Sequence, residues 1–198
     1  LAALGSIPEA DRGGDLAPVP YLMADCLIRQ FPAETDDALT AGQLIDQADQ
    51  AAKLLEKYLA AAPKTPQTPD ALFKLGYCFQ RTGMVLADPA ERTKTLGQAR
   101  QAYERVLQES NASPAYASAV MERARCMALT GDPSGAINEL GRFQSDPLRN
   151  AAAAPLALMR LASLLRTQNR AADAVNLMGQ CRSQYEGALR GENGRAHV

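Results

Sequence analysis

Small residues recur along this 198-residue chain with larger apolar ones at fixed distances on either side. Ala24, Gly76, Ala124 and Ala162 are each preceded by three positions by Tyr21, Phe73, Met121 and Met159, and followed by three by Leu27, Phe79, Met127 and Leu165. A second set, Ala51, Ala99, Ala136 and Ala174, carries Leu55, Tyr103, Leu140 and Met178 four residues on, and Tyr58, Val106, Phe143 and Cys181 seven on. Spacings of three, four and seven gather each group on one face of a helix. The small residues mark where two helix axes approach to roughly 8–10 Å, and the large ones fill the space beside them.

The two sets alternate, so the chain reads as helical hairpins, each with a first and a second helix. Consecutive second-helix anchors lie 48, 37 and 38 residues apart. The distance from first to second anchor is 12 in the last two hairpins and longer in the first two, which places insertions at about 32–47 and 85–98. Helix-start signals agree: Thr68-Pro69, Asp88-Pro89, Ser113-Pro114, Asp132-Pro133 and Asp146-Pro147 each pair a capping side chain with proline in a first turn. Asp88 with Glu91 resembles a capping box, so the second insertion lengthens a helix. Gly83, Gly131 and Asn169, seven residues past the first-helix anchors, are types that end a helix in the left-handed conformation. The expected helices are 17–30, 37–62, 69–84, 89–110, 114–130, 133–144, 152–168 and 170–187.

Leu75-Gly76-x-x-Phe79, then Gly83, Ala99-x-x-x-Tyr103 and the helix-ending Pro63 resemble the tetratricopeptide repeat in its small, aromatic and proline positions. The leading aromatic of that pattern is replaced by alanine, valine or leucine. The resemblance implies an all-α fold, a right-handed α-α superhelix or solenoid of about four hairpins, two of them lengthened. Repeats then fall at about 17–63, 69–111, 114–147 and 152–187 within a domain over 17–187. Residues 1–16 read as the remnant of a preceding helix plus a linker, and 188–198 as a flexible tail. The ends look unsealed, so a piece of a longer repeat protein, with self-association through its uncapped ends, is expected.

Composition fits helices: alanine is about a fifth of the residues and tryptophan is absent. Charge is balanced at 21 basic against 22 acidic residues, without the basic block that would follow a phosphate backbone, so nucleic acid is not the expected partner. No apolar run approaches the ~20 residues of a membrane helix, and no leader is visible in this segment. The excess of alanine, and of arginine over lysine, points to a GC-rich bacterial source. Cytoplasm and periplasm both stay open; alanine-rich, lengthened repeats are similar to those of periplasmic envelope-assembly adaptors.

Candidate chemistry is sparse. Cys26, Cys78 and Cys126 each lie two residues past a first-helix anchor, where the fourth hairpin has Leu164. A site that accepts Cys and Leu alike is an apolar packing site, so buried thiols are expected rather than disulfides or a zinc site. His197, the only histidine, is next to last, and neither GxGxxG nor GxxxxGK[ST] occurs. No catalytic role, cofactor or metal is expected.

The resemblance implies that first helices line a concave groove, with contacts three before, one after and four to five after the small anchor. Those positions hold Tyr21, Asp25, Ile28 and Arg29; Phe73, Tyr77, Gln80 and Arg81; Met121 and Arg125; and Met159, Ser163 and Arg166. One arginine per hairpin suits an acidic peptide or a C-terminal carboxylate, although arginines are also common as solvated surface residues. The expected function is a non-catalytic scaffold or adaptor that binds a protein or peptide in the groove. The alternative is a regulatory or sensor arm of a larger enzyme or signalling protein.

Overall fold

The computed structural model describes residues 2–33, 35, 37–61 and 64–195. Pro63 and His197 lie outside the described residues. Helices are α1 (Ala2–Gly5), α2 (Val19–Ile28), α3 (Ala38–Ala61), α4 (Thr68–Val85), α5 (Pro89–Glu109), α6 (Ala115–Leu129), α7 (Pro133–Gly141), α8 (Ala154–Thr167) and α9 (Ala171–Arg195). Short 3-10 turns fall at Glu9–Asp11, Gly14–Leu16, Arg142–Gln144 and Leu148–Asn150. The fold is all-helical, of the α-solenoid class, and the described residues form no strand. Two compact units divide within α6, an N-terminal one of residues 1–119 and a C-terminal one of 120–198.

In the N-terminal unit α2 packs on α3, α3 on α4 and α4 on α5, and α2 also meets α4. In the C-terminal unit α8 packs on both α7 and α9. All eight small anchors are buried. Their burial follows from close axial approach, seen most plainly at Gly76. A Cβ there would sit 2.6 Å from the ring of Tyr103, inside any permissible contact, so α4 and α5 meet where only glycine leaves room.

Both insertions lengthen a second helix. Asp37 accepts from the Thr40 amide at 2.9 Å beside the start of α3. Asp88 accepts from the Glu91 amide at 2.8 Å at the start of α5. Ser113 and Asp132 also take up backbone amides, from Ala115 and Gly135, beside the starts of α6 and α7. These contacts satisfy donors that the first turn leaves without a helical partner.

Two start signals work otherwise. Thr68 is itself the first residue of α4, and its hydroxyl accepts from the Thr65 amide. Asp146-Pro147 leads into the 3-10 turn at Leu148–Asn150 rather than an α-helix. Gly131 and Asn169 take left-handed φ values of 86° and 59°, as expected of helix terminators. Gly83 does not. It lies inside α4, and a Cβ there would strike Leu96 at 2.8 Å. α9 continues past 187 to Arg195.

Cys78, Cys126 and Cys181 are buried, and Cys26 is half-buried. Burial pushes the Cys78 thiol up to about 12, which leaves almost no reactive thiolate at neutral pH. Cys26 is therefore expected to alkylate first in the folded protein, with Cys78 labelled only on unfolding. Mass spectrometry of a timed iodoacetamide reaction checks this order, and early labelling of Cys78 would contradict it.

Candidate functional site

The expected contact positions fall into two classes once their bonds are traced. The first class holds helices together. Tyr21 on α2 donates its hydroxyl to Asp70 at 2.7 Å and accepts from Lys74 at 3.0 Å. The Lys74 ammonium lies 4.6 Å from the Tyr21 ring centroid and pairs with Asp25 at 2.7 Å and Asp70 at 2.6 Å. Lys74 thus clamps α4 onto α2. Its burial alone would lower its pKa, but bonds to Asp25, Asp70 and Tyr21 outweigh that and raise it. Burial alone would likewise raise the Asp25 carboxyl, yet bonds from Lys74 and Arg29 hold it below its ordinary value.

The sign of the pH effect follows. A depressed carboxylate stabilises the fold above its unfolded pKa of about 4, and that contribution is lost as pH falls through the folded value. Asp25→Asn should therefore weaken the fold at pH 7 and progressively less in acid. Urea midpoints of both proteins at pH 7 and pH 3 measure this, and an unchanged gap would refute it.

Gln80 and Arg81 also belong to this class. Gln80 is 1% exposed, and its carbonyl oxygen accepts from the Tyr103 hydroxyl at 2.5 Å. It lies in the core instead of facing a groove, because a position four past Gly76 turns toward α5. Arg81 donates to the Pro32 carbonyl at 2.7 Å and to the Tyr77 hydroxyl at 3.0 Å, while Tyr77 stacks on Phe31 at 6.1 Å. Phe73 rests against Tyr103, ring centroids 5.5 Å apart.

The second class faces outward. Arg29, just past the end of α2, is exposed and bonds Asp25 one turn back. Arg125 is 3.9 Å from Glu122, a loose pair, since Glu122 is held more closely by Arg160 at 2.7 Å. Met159, Ser163 and Arg166 are exposed on α8. With Ala162, Ala174, Val175 and Met178 they line a cleft of about 390 Å³ between α8 and α9.

Lys74 and Arg160, outside the expected contact positions, are the two basic residues that lie two positions before a first-helix anchor, and each reaches the preceding first helix. The C-terminal unit has a second cleft outside those positions. There Asn138, Gln144, Asn176 and Gln180 are among the residues lining a cleft of about 470 Å³ beside α7 and α9. Asn176 and Gln180 stand four apart and so share one face of α9, a placement legible from spacing, whereas their neighbours across the cleft are not. Among the described residues no group of three or more His, Cys, Asp or Glu side chains is placed to hold a metal. No helix among them is long and apolar enough to cross a membrane.

These features define a helical-hairpin repeat protein whose expected contact positions are engaged between α2 and α4 and exposed on α8. Residues 90–144 match the sequence model of the tetratricopeptide repeat family. Two solved structures of a putative kinesin light chain with nearly identical TPR-like repeats, from Podosopora anserina, are similar over 89% of this chain and 88% of theirs. The first is 17% identical with a TM-score of 0.51. The second is 19% identical with a TM-score of 0.49. The first likeness concerns the fold. No curated protein matches the sequence.

Proposed function

We propose that the chain is a protein-interaction scaffold that receives a protein or peptide partner on the outward first-helix positions of α6 and α8. The observation that carries this reading is the separation of roles on those helices. Tyr21, Asp25, Gln80 and Arg81 are engaged in holding helices and connections in place. Arg125 and Arg166 make no close ion pair among the described residues and Ser163 is exposed beside Arg166, so these positions are left to meet something else. Guanidinium groups beside exposed apolar side chains suit a partner that offers carboxylates on a partly apolar surface. The tetratricopeptide match over 90–144 favours the same class of function.

Affinity capture with the native chain, against an Arg125→Ala/Arg166→Ala variant, tests the proposal. Recovery of a protein partner that falls about tenfold with the variant is the expected result. Equal recovery by both would count against it. Arg81 is a poor choice for this purpose, because losing its bond to Pro32 would disturb the fold.

A further inference from the structure

Positions one and five past the first-helix anchor are open on α8 and closed on α4. On α8 they hold Ser163 and Thr167, both exposed, and on α6 the second of them is Leu129, 47% exposed. On α4 they hold Tyr77 and Arg81, half-buried against the turn that follows α2. Phe31 stacks on the Tyr77 ring at 6.1 Å with 15° between the planes, and the Pro32 carbonyl accepts from Arg81 at 2.7 Å. Phe31 and Pro32 stand at the start of the first insertion, which the last two hairpins lack. Helical hairpins of this chain therefore form without such a cover.

The cover is also poorly matched to Arg81. Cations that join helices in this chain meet acids: Lys74 meets Asp25 and Asp70, Arg123 meets Glu139, and Arg160 meets Glu122. Arg81 makes no ion pair among the described residues; its partners are the neutral Pro32 carbonyl and Tyr77 hydroxyl. A carboxylate in place of that carbonyl would bond the guanidinium about twice as strongly. Phe31 and Pro32 are themselves only half-buried, so the contact opens at the surface, and Lys74 keeps α4 on α2 when it does.

We propose that Phe31 and Pro32 form an autoinhibitory strap over a ligand site on α4, made by Tyr77 and Arg81, and that the ligand which displaces them is an extended segment of a partner protein carrying an aromatic side chain followed by a carboxylate. This rests on the scaffold reading and adds to it a third first helix that is available only when the strap is open. The incoming ring takes the place of Phe31 on Tyr77, and the carboxylate takes the place of the Pro32 carbonyl on Arg81. A tethered strap competes at an effective concentration of roughly millimolar or above. The native chain is therefore closed to segments that match the strap only in shape, and a segment that also neutralises Arg81 opens it.

The test uses a peptide of the strap sequence, Arg29–Ala33, capped at both ends and carrying Pro32→Glu; a sister peptide carries Pro32→Gln. Each is titrated into the whole chain, and the Tyr77 ring is followed by NMR with isotope-labelled tyrosine. A chain with Phe31→Ala, which removes the strap's ring, should bind the Glu peptide about tenfold more tightly than the native chain does. The Gln peptide should bind that variant about tenfold more weakly than the Glu peptide, and a Glu peptide that also carries Phe31→Ala should leave the ring unmoved. Adding Arg81→Gln to the Phe31→Ala chain should make the Glu and Gln peptides equal. If the Phe31→Ala chain does not fold, Phe31→Leu, which keeps an apolar side chain and loses the stack, takes its place. An unmoved Tyr77 ring in the opened chain, equal binding by native and opened chains, or a Glu preference that survives Arg81→Gln overturns the assignment. None of these results touches capture of a partner through Arg125 and Arg166, so the strap can fall while the scaffold reading stands.

Discussion

Replacing Tyr103 by alanine is expected to lower the stability of the N-terminal unit by about 3–5 kcal/mol, the range for deleting a buried aromatic ring. The ring is fully buried, packs on Phe73 at 5.5 Å, fills the space left by Gly76, and its hydroxyl donates to Gln80 at 2.5 Å. Alanine therefore opens a cavity and removes a donor from a buried amide oxygen at once. Tyr103→Phe keeps the volume and loses only the hydroxyl bond, so it should cost about 1 kcal/mol. Urea unfolding, with hydrogen exchange of α4 and α5 to locate the change, measures both. A loss below about 1 kcal/mol for the alanine variant would mean that the α4–α5 contact is not where the stability lies.

The second large effect is at Gly76. On helix propensity alone Gly76→Ala would stabilise α4 by about 1 kcal/mol. The Cβ would stand 2.6 Å from one carbon of the Tyr103 ring and 2.8 Å from another. That ring cannot swing aside without leaving Phe73 and Gln80, so overpacking wins. A net loss of about 1–2 kcal/mol is expected for alanine, and about 3 for valine. Gly97 supplies the control: it lies inside α5, and an added Cβ would meet nothing within 4 Å. Gly97→Ala should stabilise by about 0.5–1 kcal/mol. Opposite signs at two helical glycines cannot come from propensity. A double-mutant cycle adds the cause: in a Tyr103→Leu background the cost of Gly76→Ala should shrink, because the two residues share one space.

The same pair shows why the fold was largely legible. A helix repeats its faces by rule, so small and large residues at spacings of three, four and seven named the buried seam before any contact was known. All eight small anchors are buried, and the expected helices fall within a few residues of those observed except at the end of α9. What spacing could not supply was the identity of the neighbour across the seam. A glycine inside an apolar stretch has two uses, as a left-handed terminator or as a point of close approach. Gly131 and Gly83 take one each, and Leu96, thirteen residues further on, decides the second.

The candidate site was less legible for a related reason. Positions relative to an anchor say that a side chain leaves one face of a helix, and a face has edges. Gln80 turns over the edge into the core. Tyr21 and Asp25 stay on the face but are taken up by Lys74, whose reach along α4 is set by how α2 and α4 cross. Charge patterning within a helix is visible in sequence, whereas a clamp between residues 49 apart is not. Arg166 and Ser163 stand out only by comparison, because their counterparts in the first hairpin are covered.

The central claim is that partners meet the first-helix side of the hairpins. Photocrosslinking tests it most directly, with a benzophenone side chain at Ser163 in one protein and at Asn176 in another, each presented with a partner recovered by the native chain. These positions line different clefts of the C-terminal unit. Crosslinking from Ser163 and little from Asn176 is the predicted result. Crosslinking from Asn176 alone would contradict the account and move the binding surface to the amide-lined side of α9.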